Sequence, residues 1–381
     1  MDILEIAARR REKAAALLRG KNLTHAVICN GGREKWGAWL LGTEAPVEGP
    51  PGMGVLPTLP PFNRNTLYIL DADGNVARYS ALTPHPTDGG QHPRFVAAEH
   101  PELFASGSIG IVNPDCLKDV NLRDMKSVCP NLQLVDISAE LDELKAQKTP
   151  EEVRVMEDAA TIFDRAFSAI RLCLRAGFTE QKAVVEFRWR LNQLGISDQD
   201  LSLLSVVRMT SAPDGGKAVT ETLTYPGRTL EMGDRINFSC TSFAPGGSAA
   251  LGRCYVLGKA SDEAKKYWQL AMDAQDIAAK AASPGATLAQ VEAAVNGFLA
   301  KNGLPEDYSA FLYGIGADRF EAPRNTDSTR DMALTEGMTL VLAPKVCPEG
   351  KDPYCCMDVY TVQAGGAVRL GKTGRDLVEL C

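Results

Sequence analysis

Near the start of the chain, apolar residues fall on one helical stripe: Ile6, Ala7, Ala14, Ala15, Leu17 and Leu18, with Arg9, Arg10 and Arg11 interleaved. This spacing predicts an amphipathic helix over about residues 3–19, the arginines lying on its solvated face. The period then shortens. The apolar run His25 to Cys29, the stretch Thr66 to Leu70 closed by the turn Asp73-Gly74, and Ser108 to Val112 each read as strands. Proline-rich stretches, Pro46 to Pro61 and Pro84 to Pro93, lie between them as loops. Such alternation predicts a small α/β domain over residues 1–142.

Helical periodicity returns at Lys148-Thr-Pro-Glu-Glu152, which opens a second domain over residues 148–381. Thr149 suits the N-cap, Pro150 the first helical position, and Glu151 and Glu152 the positive end of the helix dipole. The stripe Val155, Ala159, Ile162, Ala166 and Ile170 carries this helix to about Arg175. A repeat follows. Gly177-Phe-Thr179 opens a helix that ends at Gly195, and Gly285-Ala-Thr287 opens another that ends at Gly303, the second glycine 18 positions after the first each time. A longer helix precedes each, at 150–175 and about 261–282. Strand patterns follow each and reach a turn, Leu230-Glu-Met-Gly233-Asp234 and Leu334-Thr-Glu-Gly337-Met338. The second domain is therefore read as two copies of one helix–helix–sheet unit.

At 381 residues, 45% of them hydrophobic and 23% charged, the chain has the composition of a soluble globular protein of two domains. Its net charge of −7, with no basic cluster, argues against a nucleic-acid partner. No run approaches the roughly 20 apolar residues of a membrane span, and the acidic start Met-Asp-Ile-Leu-Glu lacks the core of a signal peptide, so no membrane and a cytoplasmic location are expected. Ten irregularly spaced cysteines fit free thiols in a reducing compartment. All four histidines (His25, His85, His92 and His100) fall in the first hundred residues.

Several motifs now stand in order: Lys148-Thr-Pro-Glu-Glu152, Gly177-Phe-Thr-Glu180, Gly233-Asp234, Tyr313-Gly-Ile-Gly316 with Glu321-Ala-Pro-Arg324, and Glu336-Gly-Met338 with Ala343-Pro344. In these the chain, over about residues 145–380, resembles the pita-bread family of methionine and Xaa-Pro aminopeptidases, prolidase and creatinase. The resemblance implies an α+β fold: an N-terminal α/β creatinase-like domain, then a pita-bread domain with an internal pseudo-twofold repeat. It also implies a homodimer. It places the family's five metal-binding positions on Ser239, Ala250, Tyr313, Ala343 and Met357. None of these side chains is a carboxylate or imidazole, and a divalent ion needs several such donors converging on it. No metal and no cofactor are therefore expected. Ala249-Ala-Leu-Gly-Arg253 looks like a stretch carried by creatinase, the family's metal-free branch. That enzyme's histidine base has no counterpart in Glu221-Thr-Leu-Thr-Tyr225, and its substrate-holding glutamate is Met357 here.

The expectation is a metal-independent creatinase-like enzyme acting on a small polar molecule by hydrolysis or elimination at a C–N-type bond. The alternative is an inactive pseudoenzyme that serves as a binding module. Glu321 and Asp358 are the candidate acid or base groups, their pKa values raised if they lie among apolar neighbours; otherwise they form structural salt bridges. Tyr313 either donates to a developing oxyanion or fills space with its ring. Cys254 is a candidate nucleophile if Arg253 lowers its pKa, or else a buried space-filler. Cys347, Cys355 and Cys356 border the same region. Ser239, Cys240, Arg253, Lys345 and Met357 are candidate substrate contacts. Arg33 and Trp36, in Gly31-Gly-Arg-Glu-Lys-Trp36, either clamp a carboxylate or flat group in a partner subunit's site or pack at the surface. His85 and His92 lie in a loop that could reach that same site, or are simply solvated.

Overall fold

The chain divides into two bodies, Met1–Lys145 and Ala146–Cys381, in a computed structural model. The structure describes residues 3–29, 36–42, 47–48, 55–56, 66–80, 96–105, 107–196, 206–213, 216, 227–244, 247–306 and 311–380.

The first body is a five-stranded sheet ordered Val76–Ser80, Thr66–Asp71, His25–Cys29, Ser108–Val112, Gln133–Asp136. His25–Cys29 sits in the middle, antiparallel to Thr66–Asp71 and parallel to Ser108–Val112, and is buried along most of its length. Val27, Ile69, Ile109 and Ile111 meet Phe104 and Met125 in one core. The first helix runs Ile3–Gly20, and of the run Arg9 to Arg11 only Arg9 is exposed as expected. Arg10 is buried and donates to the carbonyl of Trp39, and Arg11 donates to that of Leu40 at 2.6 Å. Two carbonyls at the end of Trp36–Leu41 need donors, and the arginines supply them.

The second body shows the repeat as matched backbone bonds. Gly177 N–H donates to Leu230 and Gly285 N–H to Leu334, both at 2.8 Å. Both glycines have positive φ (+84° and +86°), as do the turn glycines Gly233 (+92°) and Gly337 (+88°), a backbone that side-chain-bearing residues rarely adopt. Thr179 and Thr287 cap helices of equal length, Glu180–Gln193 and Leu288–Lys301, by accepting from the N–H groups of Lys182 and Gln290. The longer helices are Pro150–Ser168 and Asp262–Ala281. The first starts as expected, with Thr149 and Glu152 exchanging bonds in a capping box. It ends sooner than its apolar stripe does, giving way to a 3-10 turn at Ile170–Leu172.

Each half carries three antiparallel strands in sequence order: Val206–Pro213, Asp234–Ala244 and Gly247–Leu257 in the first, Phe311–Gly314, Thr339–Ala343 and Asp358–Gln363 in the second. One further strand, Val378–Leu380, extends the first sheet, and two, Glu321–Arg324 and Gly366–Arg369, flank the second. The first half is cored by aromatic rings, with Phe167, Phe187 and Phe238 in edge-on contacts at 4.8–5.9 Å. Each such ring fully buried contributes about 1.5–3 kcal/mol. The second half packs Ala271, Ala274 and Ala278 of the long helix flat against its sheet. Among the described residues no helix is long and apolar enough to cross a membrane.

Candidate functional site

The two sheets of the second body meet at one glycine. Gly252 and Met357 exchange backbone bonds of 2.9 and 3.2 Å, an antiparallel bridge between strands of different halves. A Cβ at residue 252 would stand 3.0 Å from that of Ser239 and 3.1 Å from that of Met357, a tight fit against both. Ser239 is directly opposite Gly252 across the sheet, and alternation puts Ala250 on the same face. In the other half, Ala343 lies opposite Phe311, two residues before Tyr313. Ala250, Tyr313, Ala343 and Met357 close into a single buried cluster with Met156, Ile315, Val341 and Val359. Positions far apart in the chain, 239 to 357, thus converge.

These side chains do not fit a pair of metal ions. Alanine and methionine methyl groups in van der Waals packing offer no hard donor, and the one serine and one phenol do not make a coordination set. The Tyr313 phenol is pushed up to about 12 by burial, while a hydrogen bond with Thr241 and the charges of Arg319 and Arg208 pull the other way. Its ring lies 4.8 Å from that of Phe320.

The charged candidates sit beside this cluster and are matched. Arg253 grips Asp358 through two bonds, 2.7 and 3.1 Å, with both side chains almost fully buried. Arg253 also donates to the carbonyls of Gly252, Met357, Thr373 and Gly374. Asp358 accepts from Gln275 as well. Glu321 is held by Lys148 at 2.6 Å, both buried, and its other oxygen accepts the N–H of Asp318. A Cβ on Gly316 would fall 2.5 Å from Lys148 Cε and 2.6 Å from Glu321 Oε2, which explains that glycine. Of the two readings of Glu321 and Asp358, the geometry is that of structural salt bridges. Neither carboxylate stands among apolar neighbours. Lys148 is the participant that the sequence does not single out: its motif marks a helix start and carries part of the family resemblance.

The cysteines depart from expectation. Cys240 pairs with Leu251 and points away from Ser239 into the aromatic core. Burial pushes its thiol up to about 12, against the pull of Arg188 and Arg319. Adjacent strand residues face opposite ways, so Cys240 and Ser239 cannot both line one site. Cys254 is fully buried in the second-half core beside Trp268, and the arginine expected to activate it is committed to Asp358. A nucleophilic Cys254 is corrected to a core residue. Lys345 is half-buried on a two-residue strand opposite Cys355. Trp36 is not a surface clamp. It is fully buried in the first body, edge-on to Trp39 at 5.7 Å, with the Lys145 ammonium 4.1 Å over its ring. Arg33, His85, His92 and Glu221 lie outside the described residues.

Comparison with known proteins puts this geometry in context. Residues 154–374 match the model of metallopeptidase family M24. An uncharacterized peptidase of Bacillus subtilis, YqhT, is 23% identical over 222 residues, 58% of this chain and 60% of that protein's length. A Xaa-Pro dipeptidase of Lactobacillus helveticus is 24% identical over 70% of this chain and 71% of its own. Among solved structures, an X-Pro aminopeptidase from Thermotoga maritima superposes with a TM-score of 0.76 at 18% identity, covering 97% of this chain and 99% of that one. A recombinant prolidase from Thermococcus sibiricus gives 0.75 at 20% identity, with 98% of each chain covered. These likenesses establish the fold. The names correct the creatinase-like, metal-independent reading and its inactive alternative: the relatives are called peptidases and Xaa-Pro dipeptidases. With the family model covering more than half of its residues on the expected α+β pita-bread fold, the chain belongs to metallopeptidase family M24, a family of enzymes.

Proposed function

We propose that the chain acts on short peptides of the Xaa-Pro class, bound where Ser239, Ala250, Tyr313, Ala343 and Met357 converge. That convergence carries the reading. The positions at which the resemblance puts the family's reacting centre meet in one place, and relatives matching this chain are named for Xaa-Pro dipeptides. Alanine and methionine walls suit an apolar ring such as that of proline, with a few polar groups setting its orientation. The Tyr313 phenol, raised to about 12, keeps its proton at neutral pH and can donate it in a hydrogen bond to a peptide carbonyl. Glu321 and Asp358, each held by its own cation, shape the walls and move no proton.

Calorimetric titration of Gly-Pro, Ala-Pro and Leu-Pro into the full chain tests this, followed by an amine-release assay with and without Mn²⁺. The expected outcome is saturable binding of a Xaa-Pro dipeptide in preference to the matching Xaa-Ala dipeptide. Tyr313→Phe should slow any amine release at least tenfold. Failure of all three peptides to bind would overturn the proposal.

A further inference from the structure

On the helix Glu180–Gln193, Lys182, Val185 and Trp189 stand three and four residues apart and share one outward face. Val185 and Trp189 are each 55% exposed, and Leu172, on the 3-10 turn before the helix, is 46% exposed. Arg190 hydrogen-bonds Cys173, which sets that turn beside the end of this face. Of the eight large apolar side chains exposed among the described residues, three therefore gather in one place. Cations that are spaced out along the chain surround them. Lys182 stands 4.0 Å and Arg175 5.1 Å from the centre of the Phe178 ring, and Arg190 5.8 Å from that of Trp189. Arg171 is exposed on the same turn as Leu172. The remaining cation of the helix, Arg188, acts inward on Cys240. Two carboxylates lie between residues 171 and 193. Glu180 is buried and accepts from Ser211 and the Arg228 N–H, which leaves Glu186 of the two against the four outer cations.

The repeat supplies an internal control. Matched from the capping threonines Thr179 and Thr287, the residues Arg175, Phe178, Lys182, Val185 and Trp189 become Ser283, Ala286, Gln290, Ala293 and Gly297 in the second half. The same architecture is built there without these apolar side chains or their charges, so folding does not demand them. Gathered apolar surface with a polar rim marks a binding face, and tryptophan and arginine are frequent anchors of one. The rim fixes the sign of the partner. The chain as a whole carries −7, so an anionic partner is repelled by the rest of the surface and drawn here. A second copy does not fit, because a two-fold contact sets a patch against itself and brings Lys182 and Arg175 against like charges. The face also lies across the sheet from the candidate centre: Phe187 of the same helix packs on Phe238, while Ser239 faces the other way. We propose that this face docks an acidic amphipathic helix of a partner protein, its apolar stripe on Leu172, Val185 and Trp189 and its carboxylates toward Arg171, Arg175 and Lys182.

Trp189 reports on the face directly, since Trp36, Trp39 and Trp268 are buried. A synthetic peptide of repeated Glu-Leu-Leu-Glu-Glu-Leu-Glu heptads, titrated into the full chain, should shift tryptophan emission to shorter wavelength and saturate, binding more weakly as salt rises. The same peptide with lysine for glutamate should leave the emission unmoved. Val185→Glu and Lys182→Glu, both at exposed positions, should each weaken binding at least tenfold. Ala293→Glu, the matching change in the second half, should not, and circular dichroism should show all three variants folded. No saturable shift with the acidic peptide, equal binding of the lysine peptide, or full affinity in Val185→Glu would overturn the proposal. Two other results would overturn it by naming a different occupant. Self-association of the chain in sedimentation, lost in Val185→Glu, would assign the face to a second copy. A Trp189 shift on phosphatidylserine vesicles with none on the peptide would assign it to a membrane surface.

Discussion

Met357 and Asp358 are neighbours in the chain, yet their surroundings are opposites. Asp358 is fully buried and keeps its charge company: two bonds from Arg253, one from Gln275, and Arg369 at 3.6 Å. Met357 is buried among alanines, valines and a phenol. The difference shows what burial demands of a charged and of an apolar side chain. A buried carboxylate is tolerable only when matched, and a partly satisfied polar set is worse than an apolar one. A single acid left among Ser239, Ala250, Tyr313, Ala343 and Met357 would be such an unmatched charge. The Arg253–Asp358 pair, by contrast, is complete in itself.

The contrast breaks most directly at Asp358. Asp358→Ala leaves Arg253 buried without its counter-charge and should cost about 3–5 kcal/mol in urea unfolding. A loss below about 1 kcal/mol would mean that the pair is not what holds this seam. Alkaline pH probes the other side. The Tyr313 phenol is raised from an ordinary value of 10.0 to about 12. The native state therefore holds that proton longer than the unfolded chain does. Its stabilising contribution is complete below pH 10 and is lost as pH rises toward 12, about 2–3 kcal/mol in all. Unfolding midpoints measured across this range should fall less steeply in Tyr313→Phe; an unchanged slope would place the phenol in water.

Met357→Leu sharpens the comparison further, since an apolar exchange of similar volume should cost less than about 1.5 kcal/mol. A larger loss would show that the thioether has a specific polar role. The smallest effect concerns the repeat. Thr179→Ala removes the N-cap of the shorter helix in the first half and should cost about 1 kcal/mol, as should Thr287→Ala at the matching position of the second half. A marked inequality between the two would show that equivalent caps carry unequal weight.

Much of this could be read along the chain because it depends on local rules. His25–Cys29 and Ser108–Val112 are strands with the bounds their apolar runs predict. The glycine–threonine pairs mark two helix starts because a positive-φ turn and an N-cap each demand particular residues. Ser239 and Ala343 could be placed because each stands six residues past its turn glycine. Cys240 could also have been set aside, since strand alternation turns it from its neighbour Ser239. The burial of Arg10 and Trp36 was hidden, because an arginine run or a tryptophan beside glycines has the same local pattern inside or outside a core.

Periodicity, caps and turn glycines are properties of short segments, and they sufficed for the elements and the duplication. Partnerships came only with the folded chain. Lys148 finds Glu321 across 173 residues and Arg253 finds Asp358 across 105. Whether a carboxylate is a reactive group or a sealed ion pair depends on which cation the packing brings to it. That is a property of three-dimensional proximity, which no local pattern encodes.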